Sequence, residues 1–452
     1  KVHLAREIDA LGGEIARAAD ITGIQFRMLN RKKGPAVWAP RSQNDRMGYS
    51  IQMRTALEAQ DNLDIKESII EELLLNPDGK SVIGVKSMLG EEYFAPRIIL
   101  ANGTFLRGIV HVGNINYSSG RAGEPAAEKL SQSLLQAGLS LGRFKTGTPP
   151  RIDLGTVDFN QVEEQPGDKD PQGFSYYRDI TPRNLVSCYL TYTTPETHGI
   201  IRSNLDKSSL YGGYISGIGP RYCPSIEDKV VKFQHKEQHQ VFIEPEGIST
   251  SEAYVNGISN SLPPAVQQQL VTSIPGLQKA SIIRYGYAIE YDYILPSEIQ
   301  PTMETKKIRG LYLAGQINGT SGYEEAAAQG IAAGINAVLA IDGKDPLIFD
   351  RSDSYLGVLL DDLVTKGTNE PYRLFTSRAE YRLHLRQDNA DERLMPAGHQ
   401  LGLVEETRWQ RFLEMKNILE REKRHLLANT TLPGNGLKEP TKFINLLKQP
   451  KI

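Results

Sequence analysis

Residues 308–334 read Ile-Arg-Gly-Leu-Tyr-Leu-Ala-Gly-Gln-Ile-Asn-Gly-Thr-Ser-Gly-Tyr-Glu-Glu-Ala-Ala-Ala-Gln-Gly-Ile-Ala-Ala-Gly. An apolar strand over 311–314 ends at Gly315, Gly319 and Gly322 keep side chains out of the turn, and a helix begins near Tyr323. A strand entering a helix through glycines makes an anion cradle, because unpaired N–H groups and the helix dipole converge there. Ala326, Ala327, Ala328, Gly330, Ala332, Ala333 and Gly334 let that helix lie close to a sheet or a flat ligand. An ordinary strand–helix crossover does not require this density of small residues over three helical turns. The segment predicts a cofactor site.

The rest of the chain sets the frame. Its 452 residues are enough for two or three domains with sizeable cores. No apolar run approaches the ~18 residues of a membrane span, and no cationic segment followed by an apolar run opens the chain. A net charge of −2 argues against wholesale coating of nucleic acid but permits local basic patches. Two cysteines, Cys188 and Cys223, cannot build a disulfide framework and fit a reducing cytosol. The chain opens without Met inside the helical pattern Leu4, Ile8, Leu11, so it is expected to be the ordered part of a longer protein.

Residues 1–20 predict a helix interrupted at Gly12-Gly13, and residues 43–60 a second, with Met47, Ile51, Thr55 and Leu57 roughly on one side. Residues 69–75 and 81–88 alternate as a hairpin around Asn76-Pro77-Asp78-Gly79. A strand is expected over 93–100 and a helix over 124–137. From Thr146 to about residue 300 the texture turns to polar loops rich in Tyr and Pro, and beyond Asp350 it becomes charged and helical. The expected fold is α/β. Residues 1–145 and 301–347 form one Rossmann-like domain, 146–300 an inserted α+β domain, and 348–452 a C-terminal helical domain.

Several constellations carry chemistry. Gly219-Pro-Arg-Tyr-Cys223-Pro-Ser-Ile-Glu-Asp-Lys229 places a thiol among two cations and two carboxylates. Arg221 or Lys229 would stabilise a thiolate there; the competing reading is a small buried cysteine beside an ion pair. Cys188 reads as a plain strand residue. His235 and His239 stand at i, i+4, yet no further ligand lies nearby, so a solvated helix face is expected and no metal. Lys145-Thr-Gly-Thr-Pro-Pro-Arg151 reads as an anion site through Lys145 and Arg151, or as a stiff linker. Arg373, Arg378, Arg382, Arg386 and Arg393 interleave with Tyr372, Phe375 and Tyr381, a pattern suited to RNA phosphates and bases. Glu370, Glu380, Asp388, Asp391 and Glu392 supply the competing reading, an ion-paired helix surface.

Arg97-Ile-Ile-Leu-Ala-Asn-Gly103 and the 311–334 unit match the second and third fingerprints of flavoproteins that bind two dinucleotides; the first, Gly-x-Gly-x-x-Gly, is expected before Lys1. Together with Asp9-Ala-Leu-Gly-Gly13, Gln25-Phe-Arg-Met-Leu-Asn30, Lys33-Gly-Pro-Ala-Val37, Gly120-Arg-Ala-Gly123, Gly315-Gln-Ile-Asn-Gly319 and Thr376-Ser-Arg-Ala-Glu-Tyr381, the chain resembles the MnmG (GidA) family of tRNA-modifying flavoproteins.

The resemblance implies a homodimeric enzyme of the glutathione-reductase type. With the GTPase MnmE, in a heterotetramer, it places a carboxymethylaminomethyl or aminomethyl group on C5 of wobble uridine 34 of tRNA. FAD, NADH and methylenetetrahydrofolate are the implied cofactors and co-substrate. FAD is implied at Ile70, Ala101, Gly103, Gly315, Gln316 and Gly322. NAD is implied at Gly219, Pro220, Arg221, Tyr222, Cys223, Pro224, Ser225, Ile226, Glu227, Asp228, Lys229, Val230, Val231, Lys232 and Phe233. Cys223 is the implied catalytic residue. Uracil C5 is a poor nucleophile until a thiolate adds at C6, so a thiol serves there as nucleophile or proton donor. Two alternatives stand beside this reading: a folate- and FAD-dependent methyltransferase acting on tRNA uridine 54, and a non-catalytic scaffold for tRNA and a GTPase.

Overall fold

The computed structural model describes residues 2–177, 179–222, 224–431 and 441–446. At its centre, strands Ile98–Leu100 and Leu311–Leu313 pair in parallel, in the register Leu311 to Ile98 and Leu313 to Leu100. Leu311–Leu313 is fully buried, which suits its uninterrupted apolar sequence. Helix Tyr323–Ile341 comes next, beginning at the residue that the glycine turn predicts. Its Ala328 and Ala332 share one large core with Leu4 and Ile8 of the first helix and Leu356 and Leu359 of the C-terminal part.

The first helical stretch does break at the paired glycines, into Val2–Ala10 and Ile15–Thr22. The hairpin forms as Ile70–Leu75 and Val82–Ser87. The single strand expected over 93–100 is instead two, Glu92–Phe94 and Ile98–Leu100, in different sheets. Pro96 lies between them; lacking an N–H, it cannot continue a ladder. Helix Arg46–Glu58 buries none of its residues, and Met47 and Ile51 are 71% and 62% exposed, so its apolar side covers no core.

A second core is drawn entirely from residues 152–280, including Ile152, Ile201, Ile226, Val241, Val255 and Leu270. Its antiparallel sheet has the order Glu163–Gln165, Cys188–Tyr192, Gln240–Pro245, Glu252–Asn256, Arg151–Asp153, Ile282–Arg284. Strand Leu141–Thr148 leads the chain into this unit, and Tyr287–Ile294 brings it back. The two pair antiparallel along their whole length, with Glu290 opposite Lys145. Residues 367–389 form turns and irregular chain, so Arg373, Arg378, Arg382 and Arg386 lie outside any α-helix, while Arg393 stands on helix Ala390–Gln400; Arg378, Arg386 and Arg393 are nonetheless ion-paired, with Asp362, Asp388 and Glu7.

Buried carboxylates on the first helices lock distant segments together. Glu7 accepts from the N–H groups of Tyr355 (2.9 Å) and Leu356 (2.8 Å) and from Arg393 (2.9 Å), and so caps helix Tyr355–Asp361. Asp9 accepts from Tyr176 N–H (2.7 Å), Ser175 hydroxyl (2.8 Å) and Arg408 (2.6 Å). Burial pushes Asp9 up to about 6 against the pull of Arg408. Glu7→Ala should strand the buried Arg393 guanidinium and two helix N–H groups, costing about 3–5 kcal/mol. Urea unfolding measures this, and an unchanged midpoint would refute the role given to Glu7.

Candidate functional site

The parallel strands end side by side, and each runs into a turn that only glycine makes comfortably. Gly103 (φ +59°) lies just past one; Gly315 (φ +85°) and Gly319 (φ +78°) bracket a short turn after the other. At Gly319 a Cβ would lie 2.9 Å from Thr368 and 3.1 Å from Phe144, so the loop is pressed between two other segments. Gln329, fully buried on the next helix, ties the turn together. It accepts from Gly315 N–H (3.0 Å) and Asn318 (2.9 Å), and donates to Thr320 (3.0 Å). Sequence reasoning passed over Gln329; its signal was a lone amide within a run of Ala and Gly.

Gln316 stands on this turn. Its amide meets the Tyr291 hydroxyl at 3.4 Å, and its Oε1 lies 3.6 Å from where a Cβ on Gly103 would be, so it spans both strand ends. Burial, foremost, pushes Tyr291 up to about 12, so its hydroxyl keeps its proton. Phe144 and Tyr293 stack at 3.8 Å beside it. Gly322 caps helix Tyr323–Ile341 without a side-chain hydrogen bond, and the first turn carries Glu324 and Glu325. Glu325 accepts from Leu374 N–H at 3.2 Å. Two carboxylates already stand at the positive end of the dipole, which tells against the anion cradle expected from the glycines. Ala101 is exposed just past Leu100, and Ile70 pairs with Ser87 on the adjacent hairpin.

The 219–233 segment has two halves. Gly219 lies on Lys145, where a Cβ would be 2.5 Å from Lys145 Cε; Pro220 is half-buried, and Arg221 and Tyr222 are exposed. The Tyr222 ring contacts Phe375 at 4.5 Å. Cys223 lies outside the described residues. From Pro224 onward the chain turns inward: Ser225 caps helix Ile226–Lys232, and Ile226, Glu227 and Val230 are buried in the inserted core. Glu227 accepts from Ser261 N–H (2.8 Å) and Ser208 hydroxyl (3.0 Å). These three anchor the segment rather than line its surface. Asp228 pairs with Lys232 at 2.7 Å, Lys229 donates to Gly257 O (2.8 Å), Val231 is half-buried and Phe233 exposed.

The segment enters along the free edge of strand Leu141–Thr148, where Lys145 N–H donates to Ile218 O (3.0 Å). Buried Glu290 holds it in place, accepting from Ser216 N–H (2.9 Å) and Gly217 N–H (2.6 Å), with His111 Nε2 at 3.0 Å and Arg143 at 3.5 Å. Burial opposes ionisation of Glu290, but the His111 contact, the Gly217 N–H and Arg143 prevail and hold its carboxyl at about 2.

Some sequence candidates are internally committed. Arg151 donates to Glu246 (2.9 Å) and Pro149 O (2.9 Å) and covers the Tyr254 ring at 4.5 Å, so the Lys145–Arg151 anion site does not form. Arg378 lies over Tyr372 at 4.6 Å and 3.5 Å from Asp362. Arg373 is half-buried and Arg382 exposed; neither enters an ion pair among the described residues. Tyr372 N–H donates to Gly319 O (2.7 Å), which joins the arginine segment directly to the glycine turn. His235 and His239 share no helical face, because the helix ends at Lys232; His239 instead faces His198 at 5.3 Å. Cys188 is buried, donates to Gln25 Oε1 at 3.3 Å, and burial raises it to about 11, as a structural cysteine should be. Among the described residues no cluster of His, Cys, Asp and Glu has the arrangement of a metal site, and no helix is long and apolar enough to cross a membrane.

An α/β unit closed by glycine turns, interrupted by a second domain and continued by helices, is the class this architecture defines. The family model described as glucose inhibited division protein A matches residues 1–345. The chain is 54% identical, over all of its length and 74% of the relative's, to the tRNA uridine 5-carboxymethylaminomethyl modification enzyme MnmG of Thermodesulfovibrio yellowstonii. It is 56% identical over 94% of its length, and 68% of the relative's, to the protein of that name from Protochlamydia amoebophila. The structure of Aquifex aeolicus GidA superposes with a TM-score of 0.92 at 46% identity, over 99% of this chain and 73% of that one. The chain belongs to the GidA (MnmG) family.

Glu290→Gln should speed amide exchange at Ser216 and Gly217, because a neutral amide accepts more weakly than a carboxylate. Since the folded carboxyl sits below its usual value, its stabilising effect is full above about pH 4.5 and is lost as pH falls toward 2. Hydrogen exchange across that range checks both points; protection independent of pH and of the substitution would refute the tether.

Proposed function

We propose that this protein is a tRNA-modifying enzyme that, with the GTPase MnmE, adds a carboxymethylaminomethyl or aminomethyl group to C5 of wobble uridine 34, using FAD, NADH and a folate one-carbon unit. The observation that carries this reading is the agreement along the whole chain with proteins bearing that name, at 54% identity. The geometry supports it. Among the described residues, only Gln316 comes within 4 Å of where a Cβ on Gly103 would be, and Gln316 offers an amide held by Tyr291, which fits the polar edge of a flavin ring. FAD, when bound, supplies a two-electron reduction fed by NADH.

Residues 1–145 and 301–347 serve as the FAD-binding domain, with Ile70, Ala101, Gly103, Gly315, Gln316 and Gly322 nearest the cofactor. Residues 146–300 carry the dinucleotide and substrate segment, where Gly219, Pro220, Arg221 and Tyr222 present the accessible surface. Residues 348–452 serve tRNA and partner binding. The Tyr222–Phe375 contact joins that surface to the segment that carries Arg373, which supports a shared face for an anticodon base and its phosphates. Cys223 adds to uracil C6 as a thiolate or delivers a proton to the base. The protein works in the cytoplasm as a homodimer within a heterotetramer with MnmE.

Cys223→Ser should leave flavin absorbance intact and abolish the wobble modification in a nucleoside digest of tRNA; retained modification would restore the buried-cysteine reading. Gln316→Leu removes the amide that spans the two strands, and should lose flavin on dialysis that the parent protein retains. Equal occupancy would count against its place in the site.

A further inference from the structure

Two histidines of the inserted domain take no part in the site described above and face each other within it. His198, on helix Pro195–Arg202, is buried; His239 closes the irregular stretch between helix Ile226–Lys232 and strand Gln240–Pro245. Their ring centroids lie 5.3 Å apart. Thr193 holds both. Its N–H donates to His239 O (2.9 Å), its Oγ1 accepts from His239 N–H (2.8 Å), and the same oxygen meets His198 Nε2 at 2.8 Å. The His239 ring also bonds the Lys229 carbonyl on helix Ile226–Lys232. Its Nε2 is buried with no hydrogen-bond partner among the described residues, so Nδ1 makes that bond. The stretch leaving the helix is thereby tied at its far end to both the helix and the domain core.

The surroundings favour neutral rings. Burial, foremost, lowers both, and His239 falls to about 4. Neighbouring charges act in the same direction: Arg202 on His198, and His198, Lys229 and Lys236 on His239. Among the described residues nearby carboxylates are turned elsewhere. Asp228 meets Lys232 (2.7 Å) and Tyr211 (3.3 Å), and Glu227 meets Ser208 and Ser261. Glu196 and Glu237 are exposed, as is His235 beside Phe233. Helix Pro264–Thr272, packed on helix Pro195–Arg202, carries no charged residue. A proton added at His239 Nε2 would therefore be a buried cation without an acceptor, set among like charges.

We propose that the His198–His239 pair is an acid-released latch: while neutral it closes stretch 233–239 onto the inserted core, and protonation opens that stretch and slackens the helix before it. Because residues 219–233 are the segment read above as binding the dinucleotide, opening also weakens NADH binding; this second part rests on that reading. The sign follows from linkage. Both rings bind protons less readily closed than open, so closure is complete above about pH 6.5 and is lost as pH falls toward 4.

The test is hydrogen exchange of the intact protein from pH 7 to 4, corrected for intrinsic rates, following residues 226–240 in the parent, His239→Phe and His239→Asn, with NADH binding measured alongside by equilibrium dialysis. In the parent, opening of this stretch should rise by roughly tenfold per pH unit between about pH 6 and 4, while strand Glu252–Asn256 stays protected. Neither variant carries a titrating ring at 239, so each should show a much flatter profile, whatever its protection at pH 7. NADH affinity of the parent should fall with protection. Parental protection independent of pH overturns the latch, as do variants that keep the parental pH profile. Lost protection with constant NADH affinity overturns the coupling to the dinucleotide. A parent that binds no NADH at any pH refutes the dinucleotide reading, and the exchange profile by itself then decides the latch.

Discussion

Strand Tyr287–Ile294 is buried at every residue, and the site leans on it from both sides. Its side chains alternate between two demands. Tyr291 and Tyr293 give an aromatic face, which supports Gln316 and is pressed by Gly319. Glu290 and Asp292 give an acidic face, which holds the segment entering 219–222 and collects Arg107 and Arg143. A shift of one residue would exchange the faces, putting carboxylates against the glycine turn and rings against the loop amides. Full-length pairing with Leu141–Thr148 prevents that slip.

This division lets two chemical environments lie close without mixing. On one side the groups are neutral, with Tyr291 kept protonated by burial. On the other, Glu290 stays ionised because the loop N–H groups, His111 and Arg143 answer its charge. The same logic operates at the first helix, where Glu7 and Asp9 replace water for helix-start and loop N–H groups from the C-terminal part and the inserted domain. Buried carboxylates serve here as connectors between segments remote in sequence. Each is tolerable only because its oxygens are occupied.

The site is therefore assembled from three stretches that could not position themselves separately. The glycine turn after Leu313 supplies Gln316, the segment after Ile218 an exposed ring and cation, and the stretch around Tyr372 further cations. Tyr372 N–H on Gly319 O and Tyr222 on Phe375 are the joints. The arginines divide accordingly: Arg151 and Arg378 hold the scaffold, whereas Arg373 and Arg382 enter no ion pair among the described residues.

Strand 311–313, the glycine turn, the helix from Tyr323, the split first helix and the hairpin around Asn76 were legible from sequence, because each depends on local rules: glycine's conformations, apolar runs, turn residues and 3.6-residue periodicity. Local rules also misled. Glycines before a helix implied an anion cradle that Glu324 and Glu325 already answer. Lys145 and Arg151 implied an anion site, although Arg151 faces Glu246, and residues 93–100 implied one strand where Pro96 divides two. Which charge meets which, and which face of Tyr287–Ile294 meets which loop, only the tertiary structure decided. Those outcomes depend on partners distant along the chain, and no local pattern encodes a partner's position.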